Sequence, residues 1–261
     1  MEHIFNKEQL DKAEFILENP VSKLSDLFSN EIKDLACVWC YYSGKIEGNT
    51  YTYVETESLL KDGITSPKRY EDAKMLKNLY NTFISEVEYI KGTGNVENID
   101  ERTLLRIHGS LITGLISGED VANFRSKPVG IRGTNYLPPK TRTEILSKVN
   151  EVLYKQDLFL NPLEKAVFLH CNLAKIQPFI DGNKRTARMI ESIVLMNNDI
   201  IPVYSSKDED ILNYRKGLIE FYETDNYSKY VDYFLNRQIE RINEIAPAKF
   251  QYNNGGSCLG R

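Results

Sequence analysis

The sequence predicts an all-α bundle interrupted by one small β-hairpin. Three observations predict it. Apolar residues recur at helical spacing in nearly every segment, helix-breaking residues fall between those segments, and turn residues concentrate in one region, 122–140. Apolar residues make up 41% of the 261 and charged residues 27%, enough for a packed core.

The elements follow in order. Residues 7–18 form a short amphipathic stretch. Residues 30–46 carry Ile32, Leu35, Ala36, Trp39 and Cys40 on one helical face. Pro67 opens a long segment, 68–90, with Ala73, Leu76, Leu79, Tyr80, Phe83 and Val87 on one side, and the glycines of 91–95 end it. A helix over 99–115 begins after Asn98, with Asp100 and Glu101 in a first turn whose free N–H groups favour acidic side chains. In 122–140, Val129, Ile131 and Tyr136 flank the turn Gly133-Thr134-Asn135, which predicts the hairpin. Helices resume at 142–154, 162–176, 183–197, 209–223 and 227–245, and the Gly- and Asn-rich tail 246–261 is expected to be flexible. The division expected is an N-terminal region, 1–95, a core domain, 96–245, and that tail.

Several function classes are disfavoured. The chain carries 33 Lys and Arg against 37 Asp and Glu, a net charge of −4, whereas nucleic-acid backbones demand a cationic surface. No apolar run is long enough to span a bilayer, and the N-terminus has no secretory pattern. Of the four cysteines, Cys37 and Cys40 form a C-x-x-C pair, which invites a zinc or redox reading. No second pair accompanies it, the three histidines are scattered, and Leu35, Ala36, Val38 and Trp39 mark a buried helix where thiols pack as small hydrophobes. A reduced, cytoplasmic protein is expected.

Chemistry concentrates in 176–188. The helix over 162–176 is apolar nearly all round and is therefore central. Pro178 stops it, Gly182 permits a tight turn, and a new helix starts within Asp181-Gly182-Asn183-Lys184-Arg185. Free N–H groups at a helix start bind anions. Lys184, Arg185 and Arg188 oppose the dipole there unless an anion compensates them, and Asp181 is a hard ligand suited to Mg²⁺ shared with phosphate. A phosphate site is expected.

The segment Gln177-Pro178-Phe179-Ile180-Asp181-Gly182-Asn183-Lys184-Arg185-Thr186-Ala187-Arg188 resembles the core motif of the Fic family, H-P-F-x-[D/E]-G-N-[G/K]-R-x-x-R, at every defined position except the first. Ser43-Gly44-Lys45-Ile46-Glu47-Gly48 resembles the family's inhibitory motif, S-x-x-x-E-[G/N], on an N-terminal helix, and 123–139 resembles the segment that forms its hairpin flap. The resemblance implies a Fic-type helical bundle with a flap, and transfer of AMP from ATP to a hydroxyl of a target protein. It makes Asp181 the Mg²⁺ ligand and the backbone of Gly182 to Lys184 the anion hole. Asn183, Arg185 and Arg188 are assigned to the α-, β- and γ-phosphates. Phe179 anchors the loop in the core, and the flap aligns the target protein. It also implies auto-inhibition, with Glu47 pairing with Arg188 in place of the γ-phosphate, supported by Ser43 and Gly48.

The departure falls on the catalytic position. Gln177 stands where the family has a histidine, and a carboxamide takes no proton near neutral pH. Loss of a positioned base costs about 10²- to 10⁴-fold in rate. Transfer is therefore expected to be weakened or lost. The alternative is a catalytically silent, nucleotide-dependent binding module. Lesser ones are removal of AMP through Glu47 and, because Lys184 is shared with a toxin branch, phosphotransfer. His170 is expected to be a packed helix histidine. Self-association is left open.

Overall fold

The computed structural model describes residues 3–94, 96–205 and 207–252. Cys258 and most of the tail lie outside them. The helices are α1 (Lys7–Glu18), α2 (Ser29–Ile46), α3 (Tyr53–Glu57), α4 (Tyr70–Thr93), α5 (Glu101–Ile112), α6 (Arg142–Lys155), α7 (Pro162–Ile176), α8 (Asn183–Asn197), α9 (Asp208–Thr224) and α10 (Ser228–Ile245). Their ends are chemically specified. Asn6, Thr52, Asp100, Thr141 and Asn161 each accept a backbone N–H of the helix they start, removing orphan donors. Asp100 is thus the cap of α5, not a residue of its first turn.

α8 is the axis of the bundle. From Asn183 to Met196 every residue except Lys184 is buried, and α4, α5 and α7 pack around it. Burial of each large apolar side chain contributes about 1.5–3 kcal/mol, so a helix enclosed in this way is fixed in position. α7 is equally central, with Leu163, Val167, Leu169 and Cys171 inaccessible. The turn between these two buried helices inherits their rigidity. α2 crosses α4 and places its C-terminal end beside α8 and α9. The chain start is tied down by buried Glu164, whose carboxylate accepts the N–H groups of Ile4 and Phe5 at 2.9 and 3.0 Å. Past α10, Gln251 donates to the carbonyls of Asn243 and Ala246, and Tyr252 packs edge-on against Phe15 at 4.9 Å.

The expected β-hairpin is absent. Among the described residues there is no strand, only an isolated bridge between Lys23 and Ile200, and residues 128–140 form an irregular loop turning at Gly133 (φ +89°). Pro128, Pro138 and Pro139 have no N–H to give to a ladder. Arg125 joins the two ends instead, donating from Nη1 to the carbonyl of Lys127 at 2.8 Å and from Nη2 to that of Pro139 at 2.7 Å. The loop folds back on α9, where Thr134 donates to Glu223 at 2.9 Å and Tyr136 lies beside Tyr222, ring centroids 6.3 Å apart.

Cys37, Cys40 and Cys171 are buried free thiols. Burial pushes the Cys37 thiol up to about 11 and Cys40 well above its ordinary value, so both pack as hydrophobes. No group of three or more metal-ligating side chains occurs among the described residues, and no helix among them is long and apolar enough to cross a membrane.

Candidate functional site

Gln177 ends α7 in a left-handed conformation (φ +50°, ψ 62°) and its N–H reaches back to Leu173 at 3.2 Å. Its carboxamide donates to the Ala174 carbonyl at 2.6 Å, satisfying an acceptor that the helix end leaves open. Arg125, 2% exposed, holds the same residue from outside, with Nε donating to the Gln177 carbonyl at 2.7 Å. Base of the loop and end of α7 are therefore one assembly.

The turn that follows is braced from within. The Asn183 side chain accepts the Phe179 N–H at 2.8 Å and donates to the Phe179 carbonyl at 2.9 Å. Both polar ends of that amide are thus used inside the loop. Gly182 caps α8 at φ +77°, and a Cβ there would stand 3.3 Å from Ile112 and 3.5 Å from His108. His108 supports the turn from beneath. Its ring stacks on Phe179 at 3.7 Å, Nδ1 accepts the Ala122 N–H at 3.1 Å, and Nε2 therefore donates to the Asp181 carbonyl at 3.1 Å. Burial lowers this imidazole to about 4, outweighing the opposing bond from the Asp181 carbonyl.

At the mouth of the turn α8 begins, its first backbone bond running from Thr186 N–H to Gly182. The N–H groups of Asn183, Lys184 and Arg185 precede it and have no partner among the described residues. Asp181 is half exposed, and its oxygens accept the Gly182 N–H at 2.6 Å and Arg185 Nη2 at 2.9 Å. Arg185 is 1% exposed, yet its Nε and Nη1 have no hydrogen-bond partner among the described residues. A buried guanidinium with two idle donors costs free energy unless an acceptor arrives. The donor set, a helix start plus that guanidinium, fits phosphate oxygens. A lone carboxylate beside it fits a Mg²⁺ whose other ligands are phosphate and water.

Arg188, one turn on, is fully engaged. Its Nε donates to Ser43 Oγ at 3.0 Å, Nη1 to Tyr214 Oη at 3.0 Å, and Nη2 to the Ser43 carbonyl at 3.3 Å and Glu47 Oε1 at 3.0 Å. Burial pushes the Glu47 carboxyl up, but Lys184, Arg188 and Arg185 together hold it below its ordinary value, so it is ionised. Gly48 ends the helix at φ +84° with open space where a Cβ would lie, so its part is conformational. Behind Arg188 runs a buried polar chain. Tyr214 lies 3.0 Å from His170 Nε2, and His170 Nδ1 lies 2.9 Å from Glu191, off the line of a good hydrogen bond. Tyr230 and Tyr204 donate to Glu191 at 2.7 and 3.0 Å.

The structure thus joins Gln177, Asp181, Gly182, Asn183, Lys184, Arg185 and Arg188 in one turn and sets Ser43 and Glu47 against Arg188. Reasoning from sequence missed Arg125, His108 and Tyr214, which reach the turn from 52, 73 and 26 residues away. The F-R pair at 124–125, inside a segment already singled out, was the one available signal.

Fold and site together define a helical-bundle protein in which a turn of free N–H groups and buried guanidinium donors lies beside the end of a second helix. It carries a Fic/DOC family domain, whose family model matches residues 98–195. The protein adenylyltransferase Fic of Culex quinquefasciatus is 29% identical over 215 residues, covering 79% of this chain and 41% of that protein. The chain thus spans about two fifths of the length of such relatives. Among solved structures, a Fic family protein from Desulfovibrio desulfuricans G20 superposes with a TM-score of 0.79 at 19% identity, covering 96% of this chain and 77% of that one. Residues 134–508 of Fic-1 from C. elegans superpose with a TM-score of 0.74 at 19% identity, covering 91% and 70%.

Proposed function

We propose that this chain is a Fic-type protein adenylyltransferase, binding ATP with Mg²⁺, held inactive by Glu47 and weakened in chemistry by Gln177. The observation that carries the reading is the contrast between two buried arginines on α8. Arg185 keeps two donors idle at the helix start, while Arg188 is already paired with a carboxylate at 3.0 Å. An extended triphosphate accounts for both, with its inner phosphates at Arg185 and its terminal phosphate where Glu47 stands. In this reading the N-terminal region 1–95 exists to deliver Glu47 to the core.

In the transfer, a target hydroxyl oxygen bonds to the α-phosphorus, the bond to the bridging oxygen breaks, and pyrophosphate leaves. Asp181 would hold a Mg²⁺, which would supply charge neutralisation for that leaving group. The chain's own residues do the rest. The N–H groups of Asn183 to Arg185 orient the phosphates, and the loop 126–140, clamped by Arg125, presents the target. The hydroxyl proton needs an acceptor, and position 177 offers none.

The second reading is a nucleotide-dependent binding module without chemistry. It is favoured by the carboxamide of Gln177 being spent on the Ala174 carbonyl. One experiment separates the two. Incubation with α-labelled ATP and cell lysate compares the native chain, Glu47→Gly, and Glu47→Gly with Gln177→His. Label on protein with Glu47→Gly alone supports the enzyme. Nucleotide binding with label only in the histidine variant supports the module. No nucleotide binding by any form overturns both.

A further inference from the structure

His170 and Glu191 stand in a core that packing alone would fill with apolar side chains. α7 is buried and apolar on both sides of His170, at Leu169 and Cys171, and α8 is so around Glu191, at Ile190 and Ile193. A carboxylate and an imidazole buried there cost more than hydrophobes of similar volume. Their contacts give the reason. Glu191 Oε1 accepts Tyr204 at 3.0 Å and Oε2 accepts Tyr230 at 2.7 Å, with His170 Nδ1 2.9 Å from that second oxygen. Tyr204 also meets Ser192 Oγ at 2.9 Å, and that hydroxyl accepts Trp39 Nε1 of α2 at 3.1 Å. The carboxylate is thus held from α7, from α10 and from the segment after α8.

From there a chain of polar groups runs to Arg188, and its direction is set at both ends. A guanidinium only donates, so Tyr214 Oη accepts from Arg188 Nη1 at 3.0 Å and sends its own proton to His170 Nε2, also 3.0 Å away. Nε2 is then the acceptor, and Nδ1 carries the ring proton. A carboxylate only accepts, and a bare Nδ1 at 2.9 Å would set lone pair against lone pair, so Glu191 demands the same tautomer. With protons on both ring nitrogens, the Tyr214 hydroxyl would face donors on both sides.

We infer, resting on the nucleotide reading above, that His170 and Glu191 are positioning residues for the terminal phosphate, acting through Tyr214 to keep the Arg188 guanidinium aimed once Glu47 leaves it. Ser43 holds Nε and the chain holds Nη1, so only Nη2 changes partner, from Glu47 to phosphate. Linked hydrogen bonds polarise one another, so the charge of Glu191 strengthens the grip of Tyr214 on Arg188.

Two measurements test this. Nitrogen-15 spectra of the native chain report histidine tautomers, and the chain has three histidines. His108, whose Nδ1 accepts the Ala122 N–H, should show the Nε2–H form, and His170 the opposite Nδ1–H form. A proton on Nε2 of His170, alone or with one on Nδ1, overturns the inference. In the Glu47→Gly chain, calorimetry with Mg·ATP and Mg·ADP then compares His170→Phe, Tyr214→Phe and the double variant. His170→Phe should lower the preference for ATP over ADP by about threefold to tenfold, and should add nothing once Tyr214 is phenylalanine. An unchanged preference overturns the inference. An equal further loss in the Tyr214→Phe background overturns it too, because the histidine then acts by general damage to the core. If His170→Phe does not fold, Glu191→Gln, which keeps the shape and removes the charge, takes its place with changes of the same sign expected. Failure of the Glu47→Gly parent to bind ATP removes the nucleotide reading itself, and this inference with it.

Discussion

Glu47→Gly should tighten ATP binding far more than ADP binding. The Arg188 side chain is fully buried and Glu47 is 15% exposed, so their 3.0 Å contact is shielded from water and salt. In the proposed function, ATP displaces that carboxylate to seat a third phosphate, whereas ADP has no group to place there. A hydrogen bond between charged groups contributes about 1.5–3 kcal/mol. At about 1.4 kcal/mol per decade, its removal should favour ATP by about tenfold to somewhat over a hundredfold. Arg188 keeps its bonds to Ser43 and Tyr214, so the guanidinium stays aimed when Glu47 is gone. The unliganded variant should melt lower, since a buried cation has lost its carboxylate, and ATP should restore it. Calorimetric titration of both proteins with Mg·ATP and Mg·ADP reads the ratio directly. Equal tightening for the two nucleotides would refute the reasoning and leave Glu47 a structural residue at the end of α2.

Further outcomes test the rest of the site. Asp181→Ala and Arg185→Ala should each weaken Mg·ATP binding in calorimetry, and unchanged affinity in both would sink the phosphate assignment; the exposed control Lys229→Ala should do nothing. Tyr214→Phe in the Glu47→Gly background should lower the preference for ATP over ADP, because Arg188 loses its last side-chain bond on that side; an unaltered ratio would show that Ser43 alone orients it. His108 should make stability depend on pH. Unfolded, it binds its proton near 6.5, and folded only near 4. Between those values the unfolded chain holds more protons, so stability should fall as pH drops from about 6.5 to 4, by about 3 kcal/mol if fully expressed. Urea titrations at several pH values should show this slope, and His108→Gln should flatten it; a slope that survives the substitution would assign it elsewhere.

What the sequence revealed and what it hid divide along a physical line. Helices and the tight turn between α7 and α8 were legible because their causes are local: the 3.6-residue period, Pro178 as a stop and Gly182 as a left-handed cap. The hairpin was misread because alternation around Gly133 is also local, whereas the cause that prevailed is not. Arg125 gathers the carbonyls of Lys127, Pro139 and Gln177 into one guanidinium, and three prolines remove ladder donors. Asn183 shows a subtler limit. The resemblance makes it a phosphate contact, and the structure adds a part that the motif does not reveal: its amide closes on the Phe179 backbone and braces the turn that exposes neighbouring N–H groups. His108 and Tyr214 were invisible because a residue's distance along the chain says nothing about which face of a buried helix it will meet.

The same view clarifies position 177. A left-handed backbone at a residue other than glycine costs on the order of 1–3 kcal/mol and persists only where surroundings impose it. Here the Arg125 bond to the Gln177 carbonyl and the carboxamide bond to Ala174 impose it. The glutamine spends its only donor group on the open end of α7, so its presence has a structural account that needs no chemistry. A histidine at this position would satisfy the same carbonyl through Nδ1–H and leave Nε2 as a free acceptor facing the turn. The backbone that would present a base is therefore retained although the base is not. Gln177→His should accordingly fold without loss of melting temperature, and in the Glu47→Gly background it should yield labelled protein from α-labelled ATP. A variant that folds and binds ATP yet transfers nothing would place the missing element outside position 177, with the irregular loop 126–140 the first place to look.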